Sequence, residues 1–465
     1  MHTGEEAMSS PFTFLIPRAG RTPAAQAPRI LTLDPRQAPI HTLDLELAAP
    51  ASVRPAGRET TDWSRVTGSL LALVRMHGSP LGFIQATVQD PADILGTLIT
   101  TAGRELTEPI ARHRREDRIP APDAVTADRP VARCMRRRLS VLAAAPPISV
   151  IVATRERPVE LARCLDSLTR MPYPNLEIIV VDNNPQTPRA EQLVRERYGD
   201  AVTYVVEPRR GLANAHNRGL REASGRIIAF TDDDVIADRE WPAALAEGFT
   251  AREDVGCVTG LIVPAELETA AQVMLEAESG FTRTFEQRTH YLGSPDADPL
   301  FPFTVGKLGS GANMAFDAAL LRRLGGFDPA TGTGSAARGG NDLLAFFRAI
   351  TAGHSLVYQP SAIIWHHRRR TMDALKAQAY GYGVGLGAYL TAAIVHEPRM
   401  LPRMIRRVPR GVVYELEHSR PNQCDTSVKP AHLASAQRMG LMYGPFAYAK
   451  ARRISRKLDR ESTRA

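Results

Sequence analysis

Between Ile148 and Phe230 the chain alternates short β-branched runs with helical segments, and few folds accommodate that pattern. The runs are ISVIVA (Ile148 to Ala153), LEIIVV (Leu176 to Val181), VTYVV (Val202 to Val206) and RIIAF (Arg226 to Phe230). They suit strands buried on both faces, because a half-exposed strand would alternate apolar with polar residues. Between the first two runs, Leu161, Leu165 and Leu168 fall on one helical face, and Pro158 fits the first turn, where no backbone donor is missed. Strand and helix in turn predict an α/β fold with a doubly wound, mostly parallel sheet. Such sheets bind ligands in the crevice beyond the carboxyl ends of their strands. TRERP follows the first run, DNN the second and TDDD the fourth, so the unusual polar residues gather at that end.

The chain has 465 residues, and such a length suggests about two to four folding units. Residues 1–60, rich in Ala and Pro with only LDLEL strand-like, read as a poorly ordered or irregular segment. Over 61–140, GSLLALVR (Gly68 to Arg75) and GFIQATV (Gly82 to Val88) flank the turn-forming MHGSP, and a helical pattern with Ile94, Leu98 and Ile110 follows. This predicts a small β-β-α appendage, joined by a basic, Pro-containing linker from Arg114 to Pro147. The α/β domain spans 146–370, and a helical, basic extension spans 371–465.

Hydrophobic residues make up 43% of the chain and charged residues 23%, a balance that excludes a wholly disordered protein. Cys134, Cys164, Cys257 and Cys424 lie far apart with no CxxC spacing, so neither a zinc site nor a disulfide framework is suggested. The first twenty residues lack a basic start and a sustained apolar run, so no secretion signal is expected and the cytoplasm is the expected location. The net charge of +8 is compatible with nucleic acid, an anionic membrane surface or an anionic substrate. The Arg-rich stretches 399–410 and 450–460 hold few aromatic residues to stack on bases, which favours lipid headgroups and leads us to expect no nucleic-acid partner. Ala377 to Val395 carries no charge but includes Gln378, three tyrosines and four glycines; it makes a poor membrane span, and its glycines equally suit tight packing. Pro398 to Arg410 interleaves apolar residues with arginines, as peripheral contact with the inner face of the membrane would require, although Pro402 and Pro409 interrupt a continuous helix.

The strongest chemical signal is Thr231 to Asp234. In extended backbone Asp232 and Asp234 share a face while Asp233 points away, and three adjacent carboxylates repel unless a hard cation joins them. A solvated acidic turn, or capping of a helix starting near Trp241, is the alternative. Asp182 can accept from a ribose or base edge, or close an Asx-turn. Arg209 and Arg210 stand with Gly211 just before a helical segment, suited to phosphate or to ordinary capping. GSGANMAFD (Gly309 to Asp317) and the Gly-rich stretch Gly325 to Asp342 allow close backbone approach to a sugar. Asp342, ionised if it titrates near the free value of about 3.9, opens an apolar helical run and reads as a general base or a cap. WHHRRR (Trp365 to Arg370) supplies imidazoles for an oxygen-rich metal site and guanidinium groups for phosphate, with a solvated basic edge preferred for Arg369 and Arg370.

Taken in order, SVIVATRERP with LARCLDSL, IIVVDNNP, RRGLANAHNRGL, IIAFTDDDVIAD, GSGANMAF, GGFD with GGND, and WHHR resemble family 2 glycosyltransferases of the GT-A fold. The resemblance runs from Ile148 to about Arg368. It implies an inverting transfer from a nucleotide diphosphate-sugar to a hydroxyl of a glycan, lipid-linked or cell-envelope acceptor, with Mn²⁺ or Mg²⁺ as cofactor. Thr154 and Asp182 would contact the nucleoside, with Arg155 also on the donor side and Arg209 and Arg210 near the nucleoside or its phosphates. Asp232 and Asp234 would form the DxD-like motif, Asp234 as metal ligand and Asp232 also as ribose contact, with His366 as a further metal or phosphate contact. Asp342 would be the general base. Gly340-Asn341-Asp342 departs from the Gly-Glu-Asp of many relatives, which bears on how the acceptor is held.

Two other readings fit parts of the chain. A sugar nucleotidyltransferase would need a Gly-rich loop with a basic residue after the first strand, and TRERP has no glycine. A non-catalytic scaffold that binds glycan or membrane would not need Asp182, Asp232, Asp234 and Asp342 together.

Overall fold

The computed structural model describes residues 33–48, 50–56, 62, 65–118, 131–278, 284–294, 300–407 and 431–464. Residues 1–32 and 57–60 of the segment expected to be irregular lie outside the described residues. So do 119–130 of the linker and 408–430, which include Pro409 and Cys424.

Four strands, β1 (His41–Glu46), β2 (Ser52–Pro55), β3 (Gly68–Met76) and β4 (Ser79–Val88), form an N-terminal sheet in the order β2-β1-β3-β4. The sheet is larger than the two-stranded appendage predicted, because LDLEL pairs parallel to β3, with Leu43 opposite Ala72 and Leu45 opposite Val74. Burial on both faces accounts for it. Leu70, Ala72 and Val74 join Leu43, Leu45 and Leu98 in one core, while Leu71, Leu73 and Phe83 pack with Leu261, Val263, Ile363 and Trp365 of the α/β domain. Each of these large side chains contributes about 1.5–3 kcal/mol when fully buried. The expected helical stretch forms as Ile94–Glu105 and Thr107–Glu116, and the expected linker contains a further helix, Arg133–Ala144.

In the second sheet β5 (Ile148–Thr154) is flanked by β6 (Leu176–Asn183) with β7 (Thr203–Glu207) beyond it, and by β8 (Ile227–Asp232) on the other side. All three of these pairings are parallel. After β9 (Val235–Ala237) come β10 (Val255–Pro264), β11 (Arg288–His290), β12 (Met314–Asp317) and β13 (Ser355–His366). The order is β11-β13-β10-β12-β8-β5-β6-β7, with β9 on β13. β12 runs antiparallel between β8 and β10, so the sheet is mixed, yet β8, β10 and β13 still point the same way. Register then sets the carboxyl edge: Thr154 lies opposite Asp182, and Ala153 opposite Asp232.

In the C-terminal region two long helices, Met372–His396 and Ala431–Arg464, lie against each other. Their glycines explain the contact: a Cβ on Gly383 or Gly387 would strike the backbone of Gln437 or Leu441, and one on Gly444 would strike Gly387. The glycines thus serve close helix packing, and no described helix is long and apolar enough to cross a membrane.

Candidate active site

β8 ends in the acidic run, and its three carboxylates part company. Asp233 turns inward, accepting from the Thr154 hydroxyl at 2.8 Å and from Arg157 Nη1 at 2.6 Å. Asp232 and Asp234 face His366 at the end of β13, whose Nε2 lies 3.3 Å from Asp234 Oδ1 and 3.9 Å from Asp232 Oδ2. One ligand atom from each of Asp232, Asp234 and His366 falls within 4.8 Å of the other two. None of the three carboxylates caps the helix Trp241–Phe249, whose N-cap is Glu240.

The electrostatics follow from this division. Burial pushes the Asp233 carboxyl up to about 7 against the pull of Arg157. Burial would raise Asp234 too, but His366 and Arg157, the latter at 2.9 Å from Oδ2, outweigh it and hold that carboxyl well below the usual range. Burial opposes a charge on His366, yet Asp234 and Asp232 together push it up to about 9.

Asp182 stays within β6 and forms no Asx-turn. Its Oδ2 accepts from the Tyr204 hydroxyl at 2.8 Å, while its buried Oδ1 has no hydrogen-bond partner among the described residues. Burial raises its carboxyl. Arg155, whose charge acts on Asp182, likewise has a buried Nε without a hydrogen-bond partner. Next in sequence, Asn183 clamps the Arg209–Gly211 turn, donating to Arg209 O and accepting from Gly211 N, each at 2.8 Å. Gly211, at φ 131, takes a conformation few other residues adopt and starts the helix Leu212–Glu222. Arg210 is exposed, whereas Arg209 turns to Asp459 of the last helix at 2.8 Å.

The glycine-rich segments close the other side. Leu212 N donates to Thr333 O at 2.8 Å, joining the stretch before Asp342 to the helix after Arg210. Asp342 is not the cap of the helix Asn341–Thr351, since Gly340 holds that position. Its Oδ2 accepts from Gly311 N at 2.8 Å and its Oδ1 from Leu343 N at 2.9 Å. Burial raises its carboxyl above the free value, opposed by those N–H groups and reinforced by the charge of Asp232.

Asp232, Asp234 and His366 therefore meet, with the charge of Asp232 felt at Asp342 and with Asp182 two strands away at the end of β6. Sequence reasoning passed over Arg157 and Asp233: TRERP displayed the arginine, but only the fold shows that it spans two carboxylates. It also assigned Thr154 to the nucleoside, and in the structure its hydroxyl is engaged by Asp233. The WHHRRR basic groups are largely paired: Arg368 meets Glu276 at 3.0 Å and Arg370 meets Glu266 at 3.0 Å.

A mixed sheet thus carries, at its carboxyl edge, an acidic cluster with a histidine and a buried carboxylate that is half unpaired. Residues 149–306 match the family described as Glycosyl transferase family 2. That match lies wholly within the α/β domain, which is thus similar to the family 2 glycosyltransferases. A pre-mycofactocin glycosyltransferase of Mycobacterium tuberculosis is 27% identical over 260 residues, 56% of this chain and 50% of that protein. A glucosyl-dolichyl phosphate glucuronosyltransferase of Haloferax volcanii is 25% identical over 199 residues, 40% of this chain and 57% of that protein. The chain thus spans about half the length of these curated relatives. A solved mannosyltransferase of Pyrobaculum calidifontis, in complex with GDP-Man and Mn²⁺, overlaps loosely, with a TM-score of 0.40 at 21% identity over 68% of this chain and 82% of that one.

Proposed function

We propose that the chain is an inverting hexosyltransferase that moves a sugar from a nucleotide diphosphate donor to a hydroxyl of a glycan, lipid-linked or cell-envelope acceptor. The observation that carries this reading is the convergence of Asp232, Asp234 and His366 within 4.8 Å at the carboxyl edge of the sheet. Two carboxylates and an imidazole form a donor set suited to Mn²⁺ or Mg²⁺, and Asp232, with 38% of its side chain exposed, keeps one side open to a donor. When bound, such a cation neutralises the charge of a departing diphosphate. The unpaired Asp182 Oδ1 is suited to accept from the nucleoside, Arg155 supplies positive charge beside it, and Arg210 stands exposed just ahead of the helix Leu212–Glu222 for the phosphates. Arg157 holds Asp234 by the oxygen turned away from His366. Asp342, its carboxyl raised by burial, is suited to take the proton of the acceptor hydroxyl. Attack on the anomeric carbon from the side opposite the diphosphate inverts its configuration.

The test is release of nucleoside diphosphate from a panel of sugar nucleotides with Mn²⁺ or Mg²⁺. Metal-dependent release with at least one sugar is expected; a chain that releases none under any combination is a scaffold, and the reading falls.

The location we propose is cytoplasmic, peripheral on an anionic membrane. Met439, Met442, Tyr443 and Phe446 stand exposed at one-turn spacing on the last helix, followed by Lys450, Arg452, Arg453, Arg456 and Lys457. Flotation with phosphatidylglycerol vesicles at low salt is expected; failure to float removes this part.

A further inference from the structure

Far along the chain from the transfer site, four side chains with metal-ligating atoms converge where the N-terminal sheet meets the following helices. His77 forms the β3–β4 turn at φ 54, a left-handed conformation in which Asn, Asp and His are over-represented. Its N–H and that of Gly78 both donate to Glu46 at 2.9 Å, which fixes the turn. His113 and Asp117 stand one turn apart at the end of the helix Thr107–Glu116, and Cys134 lies in the first turn of Arg133–Ala144. Asp117 Oδ2 is 3.1 Å from His77 Nδ1, 3.0 Å from His113 Nε2 and 2.9 Å from Cys134 Sγ, and that sulfur is 3.9 Å from His113 Nε2. All four ligand atoms lie within 4.8 Å of one another. The side chains of His77, His113 and Asp117 are only 16%, 11% and 4% exposed.

Hydrogen bonding alone accounts poorly for this arrangement. One carboxylate oxygen offers about two lone-pair directions, whereas Asp117 Oδ2 faces three polar atoms. Tetrahedral zinc bonds of about 2.0–2.3 Å place ligand atoms about 3.3–3.7 Å apart, within the span of the 2.9–3.9 Å separations seen here. We propose that His77, His113, Asp117 and Cys134 form a structural zinc site. Two neutral imidazoles, a carboxylate and a thiolate balance the charge of Zn²⁺, as a largely buried site requires. As the S–Zn bond forms, the Cys134 thiol releases its proton to solvent. The cluster also has a supporting shell: Asp117 Oδ1 accepts from Cys134 N at 2.8 Å, which leaves Oδ2 aimed at the other three side chains.

The position of the site says what it does. Cys134 rides on a helix whose Arg137 and Arg138 pair with Glu247 at 3.0 Å, Arg138 also reaching Glu240 at 2.6 Å. The hairpin carrying His77 abuts the same Glu240, which a Cβ on Gly78 would strike. Zinc therefore rivets the N-terminal sheet, its helical pair and the helix leading into the α/β domain into one body. This role does not rest on the transfer reaction.

The full chain, purified without a polyhistidine tag and dialysed against buffer free of added metal, should contain one zinc by plasma mass spectrometry. The Asp234→Ala chain should retain it, which separates this site from the one at the sheet edge. His113→Ala and Cys134→Ser should lose it, and zinc chelation should lower the melting temperature of the wild type while leaving Cys134→Ser unmoved. Cobalt replacement in the wild-type chain should show a thiolate-to-cobalt charge-transfer band, a readout that survives if a variant fails to fold. A wild-type chain that takes up neither zinc nor cobalt, a cobalt spectrum without the thiolate band, or undiminished zinc in both folded variants overturns the proposal.

Discussion

The two side-chain clusters of this molecule differ in how the chain assembles them. Asp232 and Asp234 sit two residues apart in one strand end, and His366 joins them from a strand running the same way; the set is oxygen-rich and half-open. His77, His113, Asp117 and Cys134 come from a hairpin and two helices and surround one carboxylate oxygen with nitrogen and sulfur. The first arrangement leaves room for a substrate. The second closes on itself, and its place between sheet and helix is that of a fastening. The two clusters thus differ in whether one side remains free, the feature that separates open from closed metal sites.

The largest expected effect separates the clusters outright. Asp234→Ala should abolish metal-dependent turnover, measured as nucleoside diphosphate release, while far-UV circular dichroism stays that of the wild type. Retained turnover would mean that the acidic run is only a surface turn. Asp342→Asn keeps the shape but cannot take a proton, and should lower transfer by about 10²–10⁴-fold with sugar-nucleotide binding, read by calorimetry, unchanged. Equal activity would remove Asp342 from the role of base.

A third substitution probes the joint between the two regions. Arg75, 3% exposed, bonds Asp44 at 2.9 Å within the N-terminal sheet and Asp238 at 2.6 Å in the α/β domain. Arg75→Ala leaves two buried carboxylates with reduced compensation and should cost about 3–5 kcal/mol in chemical denaturation; a loss under 1 kcal/mol would show that the joint does not depend on this charge.

The smallest effect belongs to the C-terminal helices. Asp328 of the GGFD stretch accepts from Tyr448 at 2.8 Å and contacts His396 Nε2 at 2.9 Å, tying both long helices to the domain. Asp328→Asn should cost about 1–3 kcal/mol. Burial raises the Asp328 carboxyl, but its bonds to His396, Ala330 and Tyr448 prevail and hold it below its free value of 3.8. Its contribution is therefore complete above that pH and lost as pH falls through the lower folded value. The difference in melting temperature between wild type and variant should shrink with acid; a constant gap would assign the effect to shape alone.

Local pattern decided much of this protein. The four β-branched runs became β5 to β8 within a residue or two, Pro158 opens its helix, and the polar residues after the runs lie at one edge. Periodicity and turn chemistry act over a few residues, so they can be read without knowing the fold. That Asp232 and Asp234 both face His366 is decided by the turn after β8, since Asp233 and Asp234 lie in that turn and not in extended chain.

The rest was beyond the reach of any short window. LDLEL found its place because a parallel strand 29 positions on in register, Leu43 opposite Ala72 and Leu45 opposite Val74, needed a neighbour. Arg157 became the brace of two carboxylates, and Asp328 the anchor of two helices, through contacts that span the chain. The spacing of the cysteines gave no hint of metal, because the atoms around Asp117 are gathered by a hairpin turn and two helix ends. Secondary structure follows from neighbours in sequence, whereas a site that needs several side chains within 5 Å depends on strand register and helix packing, which only tertiary structure determines.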